Sequence, residues 1–466
     1  MRPRAARRSG AALTAALALV PGLAFAHASE RAVILTLPTG AFIWGAALAV
    51  AITAAAALVA RRLPSFEARP LFVRPRFSAG NWPSWLSFLL WLALVAVGFL
   101  GTHDPFENPL PLAVWTGLWV FLVWAVALTG DWWAALNPWT GPAAFLRRRL
   151  GLTGGIGLKT LGYLPAIMGF LGFAWLEIVS LAPDDPQGLA RIVLAYLVGI
   201  LILTILEGED WLRQGETFSA FFDLMGRIAP VWAESRADGR RQVMAGWPGT
   251  RILRMRPLPL SGIAFLMLVL SSVTFDGLHE TFWWIAKIGL NPLEYEGRSA
   301  VMGVNTLGLL AAWAVIGGTI AAAVLLGLRA EGLTGDRLRA AKATMMLAFL
   351  PIAAAYHLAH YLVAGLTQGQ YVLAALNDPL HREWRLLGLP EHWVGFGFLM
   401  DRQAVWTIWI AQFVLILGAH LLAVILGLLA ARRAGVEGRI AHLPVTLLMV
   451  GYTALGLWLL STPTGA

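Results

Sequence analysis

The sequence contains no cysteine. Disulfides, thiolate metal sites, iron–sulfur clusters and cysteine nucleophiles are therefore excluded, and any metal would be held by His, Asp, Glu or Met. Charge is also scarce. Only 13% of the residues are Asp, Glu, Lys or Arg, about half of what a soluble domain carries. No Gly-x-Ser-x-Gly elbow and no His-Glu-x-x-His pair is present, which removes two common hydrolase patterns. The stretch "GLTGGIGLKT" (151–160) lacks a contiguous Gly-Lys-Thr and follows no strand, so it is not a phosphate loop.

Apolar residues fill the space that charge leaves. They make up 58% of the chain, and the mean hydropathy is +0.69. Ten apolar runs of about 20 residues, the length a helix needs to cross a bilayer, lie near 34–60, 83–101, 111–129, 160–182, 189–206, 258–275, 303–328, 343–366, 404–430 and 442–461. The expected fold is all-α: a polytopic integral membrane protein of about ten transmembrane helices with interfacial amphipathic helices. Residues 1–26 have a basic start, an apolar centre and Ala24-Phe25-Ala26, and read as a cleaved signal peptide. Residues 27–466 then form one transmembrane domain.

The arginines orient it. Arg61, Arg62, Arg147, Arg148, Arg149, Arg240, Arg241, Arg337, Arg339, Arg432 and Arg433 fall in alternate connections. The positive-inside rule places these in the cytoplasm. This predicts a multi-pass protein of the bacterial cytoplasmic (inner) membrane with both mature termini outside. The net charge of +9 is then a topology signal, and the lipid bilayer is the partner it indicates rather than nucleic acid. "GDWWAALNPW" (130–139) reads as an interfacial or re-entrant piece. The segment 207–232 reads as an amphipathic helix on the inner leaflet, and 276–297 as an outer interfacial helix ending at Asn291-Pro292.

Counting residues along each span sorts the polar side chains by depth. His357 and His360 of "AYHLAHY" lie in the outer half of the eighth span, three apart and so on one helix face. Asp276 and His279 end the sixth span at the same level. Glu177 lies in the outer half of the fourth, and His103 lies in the loop after the second. His27 starts the mature chain if cleavage follows Ala26. His420 lies deeper, nearer the inner leaflet. Ionisable groups inside spans face the protein interior or a water-filled cavity and mark functional sites by default. A His/carboxylate set without cysteine suits a divalent transition metal: Zn, Cu, Fe or Mn. The candidate metal ligands are His357, His360, His279, His103 and His27, with Glu177 and Asp276 as candidate catalytic carboxylates. A structural hydrogen-bond network or a proton relay accounts for the same pattern.

The combination of "AHASERAVILTLPTG", "GDWWAALNPW", "SSVTFDGLHETFWW" and "AYHLAHY" resembles bacterial polytopic membrane proteins known as fenitrothion hydrolase, the membrane component of an organophosphate-hydrolysing system. The resemblance covers most of the chain after residue 26. It implies phosphotriester hydrolysis with a periplasmic or membrane partner subunit, which is compatible with a metal-bound hydroxide attacking phosphorus. Together with the outer-layer His/carboxylate set, the first reading is a periplasm-facing, metal-dependent hydrolase. The residues themselves leave two other classes open. One is a copper, metal or small-solute transporter. The other is a membrane anchor or assembly partner for a periplasmic enzyme.

Overall fold

The computed structural model describes residues 39–464 apart from 61–62, 75–80, 239, 255–256, 295–296, 381, 391–392 and 437. The expected signal peptide, residues 1–26, and His27 lie outside the described residues. The chain is all-α and polytopic. Among the described residues, nine helices are long and apolar enough to cross a membrane: α1 (Thr39–Val59), α2 (Trp82–Leu100), α3 (Pro109–Thr129), α5 (Pro186–Glu207), α7 (Leu260–His279), α8 (Arg298–Ala330), α9 (Gly335–His360), α11 (Arg402–Arg433) and α12 (Leu443–Ser461). Each coincides with one of the expected runs. The remaining run forms α4 (Leu164–Ile178), which has 15 residues and is about 22 Å long at 1.5 Å per residue. It is too short to span a hydrocarbon core of about 30 Å alone.

Burial separates a hub from a rim. In α7 and α9, 78% and 72% of the apolar window is buried, against 17–28% in α1, α2, α5, α8 and α12. The rim helices leave Trp44, Leu100 and Leu307 largely exposed, as helices do when lipid covers their outer faces. In lipid, helices associate through close packing rather than hydrophobic burial. Gly456 is one such contact: a Cβ there would overlap the Tyr356 hydroxyl.

Two departures from regular helix lie near the hub. Residues Leu112–Leu122 of α3 are π-helical, a rare conformation that recurs at functional sites. The eighth run is interrupted twice. Residues Leu347–Phe349 tighten to a 3-10 turn just before Pro351, which cannot donate a backbone hydrogen bond. The helix then stops at His360, with Tyr361 at φ −88° and ψ 9°, and resumes as α10 (Leu362–Asn377). The apolar pattern predicts a single continuous helix over 343–366; Tyr361 marks the break.

The end of the bundle that carries the arginine clusters departs further from expectation. The segment 207–232 is not a surface helix. It folds inward as α6 (Thr217–Met225), almost every residue of which is buried, because Phe218, Phe221 and Phe222 cover more than one face and Glu216 caps its first amides. The chain then forms an antiparallel sheet, β1 (Arg69–Arg74), β2 (Val231–Ser235) and β3 (Arg241–Ala245), in the order β1-β3-β2. The loop 151–160 does bind an anion, but an internal one: Glu207 accepts bonds from the amides of Gly157 (2.7 Å), Leu158 (2.9 Å) and Lys159 (3.1 Å). At the other end, 276–297 begins as the last turn of α7 and, beyond it, holds only a six-residue helix among its described residues, Phe282–Lys287.

Candidate functional site

Where α4, α7 and the α9–α10 break meet, near the arginine-poor end, four polar side chains join. Asp276 lies one turn before the end of α7. That helix tolerates polar residues in its buried last turns because Ser271 and Thr274 bond back to the carbonyls of Met267 and Leu270. Glu177 lies at the end of α4, where the carbonyls of Glu177 and Ser180 are capped by the Arg298 guanidinium at 2.7 and 3.0 Å. Tyr361 reaches from the break to both acids: its hydroxyl is 2.7 Å from Glu177 Oε1 and 2.9 Å from Asp276 Oδ2. His360 Nε2 meets the same Asp276 oxygen at 2.8 Å.

Counting protons constrains this cluster. A tyrosine hydroxyl has one hydrogen, so two contacts to two carboxyl groups need a second proton. That proton sits on one carboxyl, which donates to the tyrosine oxygen while the hydroxyl donates to the other. The result is an unbroken chain, Glu177–Tyr361–Asp276–His360, along which a proton can shift without movement of the backbone.

His357 is different. It is 2% exposed, and neither ring nitrogen has a hydrogen-bond partner among the described residues. It packs edge-on against Trp119 from the π-helical stretch (ring centroids 4.6 Å apart) and at a tilt of 46° against Tyr361 (4.6 Å). A buried polar group without a partner costs about 1–3 kcal/mol and calls for an explanation such as a bound water or ion. His357 lines a cavity of about 10 Å³ together with Trp119, Glu177, Ser272, Asp276 and Tyr361, which is room for about one water or ion.

The expected residues are thus partly reunited. Glu177, Asp276 and His360 touch through Tyr361. His279 stays beside Asp276, but its Nδ1 is 2.6 Å from that residue's own carbonyl. His103 is exposed in the loop before α3 and lines neither cavity. The two imidazoles of "AYHLAHY" do not converge on one point, which corrects the expectation from their spacing. His360 lines a separate cavity of about 70 Å³ with Thr274, Glu280, Tyr356 and Gln412. Residues three apart are still about 60° apart around a helix; His360 turns to Asp276, while His357 packs against Trp119. Among the described residues, no three His, Asp or Glu side chains already stand as a metal-ligand set.

A larger cavity of about 480 Å³, almost wholly apolar, lies across α4, lined in part by Trp91, Leu118, Trp139, Phe173 and Tyr196. Phe173 packs edge-on against Trp119 with centroids 4.8 Å apart, so these two rings stand between the apolar cavity and the polar cluster. Sequence reasoning does not single out Tyr361 or Trp119 for these roles. Tyr361 has a usable signal, as one of only 7 tyrosines and the immediate neighbour of His360. Trp119 has none among 22 tryptophans. No protein-family model matches the chain, and no curated protein or solved structure matches it either.

Proposed function

We propose that this chain is a membrane-embedded, outward-facing protein that binds one divalent transition metal beneath its outer surface and is hydrolase-like in its chemistry. The single observation that carries the reading is the unpartnered His357 imidazole facing Glu177 and Asp276 across a cavity of about one ion. In this reading His357, Glu177 and Asp276 are the ligands. His360 and Tyr361 orient the carboxylates from behind, as outer-shell partners of metal ligands do. The three side chains line one cavity but do not stand at ligand distance in this structure, so metal binding in this reading requires them to close on the ion. A bound metal supplies an activated water or polarises a phosphoryl oxygen. The arginine-poor end faces outward by the positive-inside rule, with the chain in the cytoplasmic membrane.

The substrate class follows the resemblance to the fenitrothion hydrolases, and the apolar cavity behind Phe173 and Trp119 supports it. Its volume of about 480 Å³ lies within the range of small-molecule sites, and its lining suits a neutral aryl phosphotriester that partitions into lipid. The test is hydrolysis of such a phosphotriester by purified protein loaded in turn with Zn²⁺, Mn²⁺ and Co²⁺. Turnover that falls at least 100-fold in His357→Ala supports the proposal. No turnover with any metal, or equal turnover in the variant, defeats it. A second reading, passage of a solute across the membrane, is favoured by one observation: polar groups continue past this centre toward the arginine-rich end.

A further inference from the structure

Below the outer centre, α7, α9, α11 and α12 enclose a second set of polar groups that the metal reading does not use. His420 on α11 is fully buried. Its Nδ1 is 2.8 Å from the Ile416 carbonyl of its own helix, and its Nε2 has no partner among the described residues. Two tyrosines stand beside it: the Tyr356 and Tyr452 rings are centred 5.8 and 6.2 Å from the imidazole. The Tyr452 hydroxyl is 2.6 Å from that of Thr274, and the Tyr356 hydroxyl donates to the Tyr452 carbonyl at 3.0 Å.

This girdle lies between two cavities. Above it is the 70 Å³ cavity, whose wall includes Thr274, Tyr356 and Glu280; that volume holds several waters. Below it is a cavity of about 20 Å³ lined by Ala423, Gly427, His442, Thr446 and Met449. Ala423 and Met449 each lie three residues from His420 and Tyr452, so one helical turn, about 5 Å, separates girdle and lower cavity. His442 sits at the start of α12, at the arginine-rich end. Among the described residues, no carboxylate lines the lower cavity. A metal ion in transit would lack anionic ligands there. A proton needs only donors, acceptors and water.

We infer that the bundle of α7, α9, α11 and α12 contains a proton path from the 70 Å³ cavity through the Thr274–Tyr452 hydroxyl pair and His420 to the lower cavity and His442. A proton arriving at the upper water passes along the two hydroxyls, each giving up one proton as it accepts another. Through a water or a turn of the ring, His420 Nε2 takes it up while the Nδ1 proton stays on the Ile416 carbonyl. Nε2 then gives that proton to the lower water, and the ring returns to its starting orientation. Proton count is conserved at every step, and the membrane potential drives the net flow. The path stands on different residues from the proposed metal site and does not depend on it.

The experiment uses the full-length protein in liposomes of neutral lipid with a pH-sensitive dye inside and a potassium diffusion potential set by valinomycin. Expected is lumenal acidification at least tenfold faster than in empty liposomes, with a rate that falls at least tenfold in His420→Phe and severalfold in Tyr452→Phe. Tyr452→Phe deletes one hydroxyl and keeps the ring, so it answers the question even where His420→Phe fails to fold. Wild-type protein no faster than empty liposomes overturns the inference, and so does conduction at the wild-type rate in either folded variant. Metal content, measured on the same preparations, is expected to be unchanged in both variants, which separates failure of this path from failure of the metal site.

Discussion

Replacing Tyr361 by phenylalanine removes one hydroxyl from between two carboxyl groups and leaves the ring packed against His357 and Trp119. The hydroxyl contacts Glu177 and Asp276 at 2.7 and 2.9 Å. A hydrogen bond to a charged group contributes about 1.5–3 kcal/mol, and a buried acceptor left unpaired adds to the loss, so the variant is expected to lose about 3–5 kcal/mol. The proton count gives a sharper expectation. Glu177→Gln supplies through its amide the hydrogen that the shared proton otherwise provides, with the tyrosine hydroxyl still donating to Asp276. That variant is expected to stay within about 1 kcal/mol of wild type. Unfolding free energies from SDS titration in mixed micelles, followed by tryptophan fluorescence, decide the matter. A loss under about 1 kcal/mol in Tyr361→Phe, or an equal loss in Glu177→Gln, refutes the shared-proton chain.

Asp131, in the turn after α3, has its carboxyl pushed up from 3.8 to about 6, chiefly by burial and against the amide bond it accepts from Ala134. A carboxyl raised in the folded state costs stability once pH passes from its unfolded value through its folded one, so the cost is absent below about pH 4 and complete above about pH 6. About two units correspond to about 3 kcal/mol. Asp131→Asn keeps the Ala134 bond through its amide oxygen and is expected to raise the thermal midpoint at about pH 7.5 but not at about pH 4; melts at both pH values check it. Gly456→Ala forces the Tyr356 hydroxyl off the Tyr452 carbonyl and is expected to cost about 1–3 kcal/mol, as overpacking does, read as a lower midpoint in the same melts. His360→Ala removes the imidazole from Asp276 and is expected to destabilise more than His279→Ala, whose imidazole bonds mainly to a backbone carbonyl; a ranking of midpoints in the opposite order contradicts the assignment.

The spans are legible in the sequence because their signal is local: about 20 apolar residues in a row can satisfy their backbone only as helix when lipid surrounds them. Depth is legible for the same reason, since about 1.5 Å per residue converts position into height. Residue counting alone therefore brings Glu177, Asp276 and His360 to one layer. What stays hidden depends on contacts between distant segments. β1 pairs with β3 although α2 to α6 separate them along the chain, and neither strand has a pattern that requires it. The segment 207–232 has a polar side, but α6 is buried on all sides by neighbours the sequence does not name. The break at Tyr361 has no proline or glycine to announce it. His357 and His360 lie on the same regular helix before that break, and their roughly 60° offset sends them to different cavities.

The most direct test of the central claim is the metal content of the detergent-purified protein, measured by mass spectrometry beside His357→Ala and His279→Ala proteins of equal thermal midpoint. The account predicts about one divalent transition metal per chain in the wild type and in His279→Ala, and loss of it in His357→Ala. No metal in the wild type after reloading, or metal retained without His357, would contradict it.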